Sequence, residues 1–554
     1  MNSKSTNLSA ILDRAAGRHP SRKALFCGER VFTFEQFARR ADALASVLAD
    51  EGAGQGVAVA MLHRNCHVVL EAYFAAARLG ALFVPINIRL SDGETASILA
   101  DSAARIFIVE PLFESRARLA VLALPEAARP RLILSRSPSA RTTTPSARTT
   151  VASIQTPPFA RDTLDNLIEA ALGAPPPPVK GGLGDPAQLY YTSGTTGMPK
   201  GVVLTHGNVI AHAEAAATAL ELTERDVWLH AAPLFHLADA WATWAVTLRG
   251  GRHVLLGEFK AAEVFDTIEK QGVTITNLIP AMLGTLVNHP DASSRKLRSM
   301  RRILSGGAPM AIELLKRIEK LFPCEYVQTY GLTETSPYLT LSLLDDDLRT
   351  IPEDEQQRYR AMTGRPMKGV EVRVVDGAGR DVPRDGQTVG EIVARGSTVT
   401  PGYFNGPEET DAAFRDGWFH TGDLAHVEKR GFLTIVDRIK DVINSGGEQV
   451  YSTEVENALY AHHAVAEAAV FAIPDDRWGE AVRAAVALKG TIALKGERCP
   501  GGEELIAFCR ERIASFKVPA AVDIVDALPR TGSGKIDKKA LREPWWRGEE
   551  KEVH

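Results

Sequence analysis

Residues 190–202 read YYTSGTTGMPKGV. They follow a strand-like segment, Ala187–Tyr191, and lead into another, Val202–Thr205. Between the two, Thr192, Ser193, Gly194, Thr195 and Thr196 are followed by Gly197, so hydroxyls and glycines fill the whole turn. Glycine lets successive N–H groups point to one place, and hydroxyls add donors, which is how a loop cradles phosphate. Lys200 adds a point charge for the same anion. In isolation, such a stretch also reads as a polar hairpin with a solvated lysine. It is not the GxxxxGK[ST] loop, because the lysine follows Pro199 and precedes Gly201 and a new strand.

Toward the N-terminus, Thr33 can cap a helix over 33–50, with Phe37, Ala41, Leu44, Ala45 and Leu48 recurring at helical spacing. Gly54–Leu62, a helix through Arg78 and Ala81–Pro85 then read as strand, helix, strand, the signature of a parallel sheet. Arg105–Glu110 and Arg131–Leu134 add strands. The hexapeptide PSARTT occurs twice between 135 and 150 with no large apolar residue nearby, which predicts a disordered surface insert over 135–150. Pro175–Pro178 reads as a stiff spacer.

Toward the C-terminus, strands and helices alternate to about residue 345. Val370–Val375, Val389–Ala394 and Gly431–Val436, separated by Gly, Pro and Asp turns, suggest a small antiparallel unit. After Asp437, a helix over Thr453–Tyr460, strands Val465–Ile473 and Val482–Leu488, and a helix over Glu503–Ile513 outline a compact α+β domain. The fold class is therefore α/β, a large N-terminal region of parallel-sheet subdomains with a small β subdomain, followed by a small α+β domain. The expected boundaries are 1–439, 440–545 and a charged tail, 546–554.

The 554 residues are enough for roughly three or four folding units at about 150 residues each. Sixty-four Lys and Arg against 68 Asp and Glu leave a net charge of −4, no reason to expect nucleic acid or an anionic membrane as partner. The five cysteines, at 27, 66, 324, 499 and 509, make no CxxC pair and suit a reducing compartment. The N-terminus lacks an apolar signal core, and the most apolar stretch, 68–86, is broken by Glu71, Arg78 and Pro85. These features predict a soluble cytoplasmic protein without a transmembrane segment.

The loop closely resembles the phosphate-binding signature of the adenylate-forming enzymes, in the branch of the acyl-CoA synthetases. Six more of that family's motifs follow in order: GGAP at 306–309, YGLTE at 330–334, WFHTGD at 418–423, DRIKD at 437–441, SGGE at 445–448 and PRTGSGK at 529–535. The resemblance spans nearly the whole chain. It implies ATP and Mg²⁺ with coenzyme A as co-substrate, a carboxylic acid as the small-molecule partner, and a C-terminal domain that rotates. A homodimer and a carrier-protein acceptor remain open.

The resemblance also assigns roles. Thr192, Ser193, Gly194, Thr195, Thr196 and Lys200 would hold the β- and γ-phosphates. Glu334 would bind the magnesium ion, and Thr333 would touch the α-phosphate. Gly306, Gly307, Ala308 and Pro309 would lie along adenine, with Tyr330 stacked on its other face, and Gly331 would also belong to the nucleotide site. Asp423, helped by Arg438, would accept from the ribose hydroxyls. Lys535 would bridge the attacking carboxylate and the α-phosphate, whereas Lys538 and Lys539 read as solvated tail lysines. Lys440 matches the hinge. Ser445, Gly446 and Gly447 would make room for pantetheine, and Trp478 would pack on the CoA adenine.

His236, in PLFHLADAW, matches the histidine between phosphate site and acyl pocket. It argues against an α-amino acid, for which relatives carry an aspartate there. The following helix, with Leu237, Trp241, Trp244 and Leu248 on one face, suggests an apolar pocket wall, which fits a fatty or an aryl acid; a medium- or long-chain fatty acid is the expected substrate. An aryl acid and a carrier-loading ligase are the alternatives, and an inactive nucleotide-binding homologue a remote one. The two tryptophans could shorten the pocket or face the core. Asp239 would repel a carboxylate, so it is expected to point away.

Overall fold

A computed structural model describes residues 7–135, 163–192, 199–489, 498–531 and 536–546. Four sheets carry the architecture. The first has six strands, ordered 131–134, 106–109, 58–62, 82–85, 186–192 and 200–205, parallel except for the last pair. The second has nine, ordered 365–366, 338–341, 325–331, 302–305, 275–277, 227–230, 252–255, 23–27 and 30–33. Its central strands, from Glu325–Gly331 to Lys23–Cys27, are parallel, and the edges are antiparallel.

Helices between these two sheets bind them into one core. The helix Phe34–Asp50 begins with a capping box in which Thr33 and Gln36 bond each other's backbone. It packs on His67–Leu79, whose residues are all buried, as an almost uniformly apolar helix must be. Glu71 stays inside that helix because the Arg40 guanidinium lies 2.6 Å from its carboxylate and His67 lies 3.1 Å away. Trp244, on the helix Leu237–Arg249, wedges against Phe74 and Tyr73 with ring centroids 4.7 and 5.8 Å apart. The Tyr73 hydroxyl meets Tyr190 of the first sheet at 2.7 Å and donates to the Leu234 carbonyl at 2.9 Å.

The third sheet is antiparallel: Val370–Val375, Gly390–Gly396, Trp418–Val427 and Phe414–Arg415 in order, with Leu433–Arg438 paired to the long strand Trp418–Val427. A single 3₁₀ turn, Ile439–Asp441, separates it from the fourth sheet, whose first strand is Ile443–Ser445. Val465–Asp475 and Gly479–Leu488 pair there as a long hairpin, covered by the helices Ser452–Tyr460 and Gly502–Arg510 around a separate apolar core. Among the described residues no helix is long and apolar enough to cross a membrane.

Four expectations need correction. Ser135 is buried and accepts or donates at 2.8 Å to His63 Nε2, so it belongs to the first sheet's core; 136–150 lie outside the described residues. Trp546 donates from Nε1 to the Ala472 carbonyl at 2.9 Å and packs on the fourth sheet, so it is no part of a loose tail. The helix expected over 503–513 ends at Arg510. Lys538 is no solvated lysine: its ammonium lies 2.7 Å from Glu456 and 2.6 Å from Ser452 Oγ.

Candidate active site

The quoted stretch forms a hairpin, Pro186–Thr192 paired with Lys200–Thr205, in which Thr192 stands directly opposite Lys200. Ser193, Gly194, Thr195 and Thr196 lie outside the described residues. Thr192 and Lys200 therefore mark the mouth of the turn. A segment far along the chain, Thr400–Phe404, lies beside the second strand: Val203 N–H donates to the Gly402 carbonyl, and Phe404 N–H to the Gly201 carbonyl. This puts the Tyr403 ring 5.8 Å from the Lys200 ammonium.

Tyr403 also donates its hydroxyl to Glu334 Oε1 at 2.9 Å. Glu334 sits in a 3₁₀ turn, Thr333–Thr335, and is only 8 % exposed. The Glu334 carbonyl accepts from Thr400 N–H at 2.7 Å, so the two segments hold each other by backbone as well. Burial pushes the Glu334 carboxyl above the usual carboxylate range. A carboxylate held in that state gains from a nearby cation, so its environment fits a hard divalent ion.

Gly331, just before this turn, cannot carry a side chain: a Cβ there would sit 1.8 Å from the Pro337 carbonyl oxygen. Gly306 is equally constrained, since its Cβ would meet the Thr329 carbonyl oxygen at 2.7 Å. The backbones of 306 and 329 thus run close together at the ends of neighbouring parallel strands. Gly307, Ala308 and Pro309 continue from there as exposed backbone.

Tyr330 donates its hydroxyl to Asp423 Oδ2 at 2.8 Å, and Arg438 Nε donates to Asp423 Oδ1 at 2.8 Å. Asp423 and Arg438 face each other across paired strands, which explains why residues so far apart in sequence share one carboxylate. Burial holds the Tyr330 phenol well above its ordinary pKa, so it stays a donor.

His236 precedes the helix Leu237–Arg249 at its N-cap and packs on Phe235, ring centroids 4.7 Å apart. Trp241 and Trp244 are 1 % and 0 % exposed and face the core. Asp239 turns inward too: it accepts from Trp228 Nε1 at 3.1 Å and lies 2.8 Å from His230 Nδ1. On the other side of that first helical turn, Ala238 is exposed, and its carbonyl accepts from Asn277 Nδ2 and Trp241 Nε1.

Gly446, Gly447 and Trp478 form their own corner in the C-terminal domain. Gly446 N–H donates to the Trp478 carbonyl at 2.8 Å, and a Cβ on Gly446 would strike the indole at 2.5 Å. Trp478 remains 48 % exposed, with the Arg477 guanidinium 4.5 Å from its ring centroid. Lys440 lies exposed in the turn between the domains. Lys535 lies outside the described residues.

The structure therefore gathers Thr192, Lys200 and Glu334 at one corner, and Tyr330, Asp423 and Arg438 at another, with Gly331 and Thr333 between them in the chain. Tyr403 and Thr400 were not anticipated from sequence. Tyr403 reaches Glu334 from 69 residues away, and no local pattern announces it.

The profile of the AMP-binding enzymes matches residues 12–404, and that of the AMP-binding enzyme C-terminal domain matches 454–535. The chain belongs to the AMP-binding enzyme family. It is a ligase of the adenylate-forming superfamily. This AMP-binding enzyme is 36% identical over 530 residues to a feruloyl-CoA synthase of Amycolatopsis sp, covering 96% of this chain and 97% of that one. It is 35% identical to a long-chain-fatty-acid–CoA ligase of Thermus thermophilus, covering 97% and 95%. Among solved structures, ATP-bound MatB from Rhodopseudomonas palustris superposes with a TM-score of 0.83 at 26% identity, covering 97% of this enzyme and 99% of that chain. An o-succinylbenzoate CoA synthetase from Bacillus subtilis in complex with ATP and magnesium ion does so with 0.79 at 29%, covering 97% and 98%.

Proposed function

We propose that this enzyme is an AMP-forming acid–CoA ligase acting on a medium- or long-chain fatty acid. In the first half-reaction a carboxylate oxygen attacks the α-phosphorus of ATP, the bond to the β-phosphate oxygen breaks and pyrophosphate leaves. In the second, the CoA sulfur attacks the acyl carbonyl and AMP departs with the electron pair. The observation that carries this reading is the buried Glu334 carboxylate, bonded by Tyr403 and standing with it beside Lys200 at the mouth of the hairpin.

Attack on a polyanion needs its charge offset while the new bond forms. Lys200, Thr192 and the loop 193–196 would supply donors to the β- and γ-phosphates. Glu334 would hold a magnesium ion, which neutralises phosphate charge. Among the described residues no group of three or more His, Cys, Asp or Glu could hold a metal. The remaining ligands would therefore come from phosphate oxygens and water. Asp423, presented by Tyr330 and Arg438, would accept from the ribose, and Gly306–Pro309 would flank adenine. Lys535 would bridge carboxylate and α-phosphate. Lys440 would act as the hinge that brings Gly446, Gly447 and Trp478 to the site for CoA. His236 would close the boundary between phosphate and acyl group. Support for a simple acyl chain comes from Asp239, which is engaged by Trp228 and His230 in the core rather than offered to a substrate.

A panel of acids with ATP, magnesium ion and CoA, or with a carrier protein in place of CoA, tests the assignment by mass of the product. Octanoate and palmitate should give acyl-CoA with the highest kcat/KM. A preference for aryl acids by orders of magnitude, or product only on the carrier, would overturn it.

A further inference from the structure

The short helix Lys538–Arg542 begins three residues after Lys535 and lies on the turn that joins the two domains. Two of its side chains, i and i+4 and so on one face, fasten it, one to that turn and one to the helix Ser452–Tyr460. Arg542 Nη1 lies 3.1 Å from Asp441 Oδ1 and donates to the Lys440 carbonyl at 3.1 Å. Lys538 Nζ lies 2.7 Å from Glu456 Oε1 and 2.6 Å from Ser452 Oγ, both on the helix Ser452–Tyr460.

Ser452 in turn reaches across the junction. Its N–H and hydroxyl donate to the two carboxylate oxygens of Asp437, at 2.5 and 3.0 Å. Asp437 lies on the last strand of the third sheet, before the turn, whereas Ser452, Glu456 and Lys538 lie after it. All four side chains are largely shielded from water. Burial disfavours the Lys538 ammonium, but Glu456, Asp437 and Asp441 around it outweigh that cost and raise its pKa. The cation is a fixed part of the junction.

The other flank of 532–535 is fastened as well. Arg530 pairs with Ile536 as an isolated bridge and with Glu467 as an ion pair, and Asp537 N–H donates to the Pro529 carbonyl at 2.8 Å. Both ends of the Lys535 segment are thus tied to the body of the C-terminal domain and, through Lys538 and Ser452, to Asp437 on the N-terminal side.

We propose that Lys538, with Ser452 and Glu456, is a positioning group for adenylation: it fixes the origin of the Lys535 segment against Asp437. Rotation about Lys440 would carry Ser452 away from Asp437, and in this proposal the arrangement that keeps the contact is the adenylating one. The inference rests on the proposed roles of Lys535 and Lys440. It assigns the group no contact with substrate.

Two variants test it in the full-length enzyme: Ser452→Ala, and the charge-neutral pair Lys538→Met with Glu456→Gln, which removes one buried cation and one buried anion together. Each is assayed for ATP–pyrophosphate exchange, for CoA acylation from preformed acyl-adenylate, and for Tm. The expected result is a roughly 10- to 100-fold loss of exchange, as displaced catalytic groups typically give, with acylation from preformed adenylate changed less than about twofold. Lys538→Arg should recover most of the exchange. Equal loss of both half-reactions, or no loss of either, would overturn the proposal. Lys535→Ala serves as the separate control. If it leaves exchange intact, the reading of Lys535 fails; if it abolishes exchange while the two variants do not, the positioning role alone fails.

Discussion

Replacing Tyr403 with phenylalanine deletes one hydroxyl and little else, because the ring can keep its place beside Lys200. The lost contact is a 2.9 Å hydrogen bond to Glu334, a carboxylate only 8 % exposed. A hydrogen bond to a charged group contributes about 1.5–3 kcal/mol. At about 1.4 kcal/mol per factor of ten, full expression of that loss in the transition state corresponds to a roughly 10- to 100-fold fall in kcat/KM for adenylation. The fall should appear as a higher magnesium requirement where Glu334 holds the ion as proposed, because the deleted donor helps keep its carboxyl ionised. ATP–pyrophosphate exchange measured against free magnesium ion, at saturating ATP and acid, reads this directly. An exchange rate and magnesium dependence within twofold of the parent would refute the coupling between Tyr403 and Glu334.

Three further outcomes are expected. Glu334 has a folded-state pKa raised above the ordinary 4.5 by burial. The folded state therefore holds the extra proton between those two values, and stability falls as pH rises through that window. Glu334→Gln should accordingly melt above the parent at neutral pH, with the difference closing as pH falls toward 4.5, while pyrophosphate exchange collapses; calorimetry across pH checks this. Asp239→Ala removes the shared partner of Trp228 and His230 in the core and should cost about 3–5 kcal/mol in urea unfolding, whereas an exposed-site value below about 0.5 would contradict the buried network. Trp478→Ala should raise KM for CoA and leave pyrophosphate exchange untouched, read by separate steady-state assays of the two half-reactions.

The elements and corners that sequence made legible are those built from neighbours in the chain. The hairpin around 192–200 announces itself by its glycines and hydroxyls between two apolar runs. The capped helix after Thr33 is set by contacts within four residues. Asp423 and Arg438 could be named separately, but their sharing of one carboxylate follows from strand pairing, which local pattern does not encode. Tyr403 is the plainest case of what stayed hidden. It looks like an ordinary aromatic after a Pro-Gly turn, and only the laying of 400–404 along 200–205 brings it to Glu334. Ser135 and Lys538 misled for a related reason. Each has the composition of a solvated segment, and each is retained by a partner far away in sequence: His63 in one case, Glu456 in the other.

The helix His67–Leu79 is covered on every side by elements drawn from both large sheets. Neither sheet can therefore mature alone: a chain stopped between them would leave a greasy rod with nothing to lean on. The last hundred residues answer to a different rule, since they close around apolar residues of their own and are strung from a single turn at 439–441. A protease admitted to that turn would split the enzyme into a large piece that stands or falls as one and a small piece able to keep its shape.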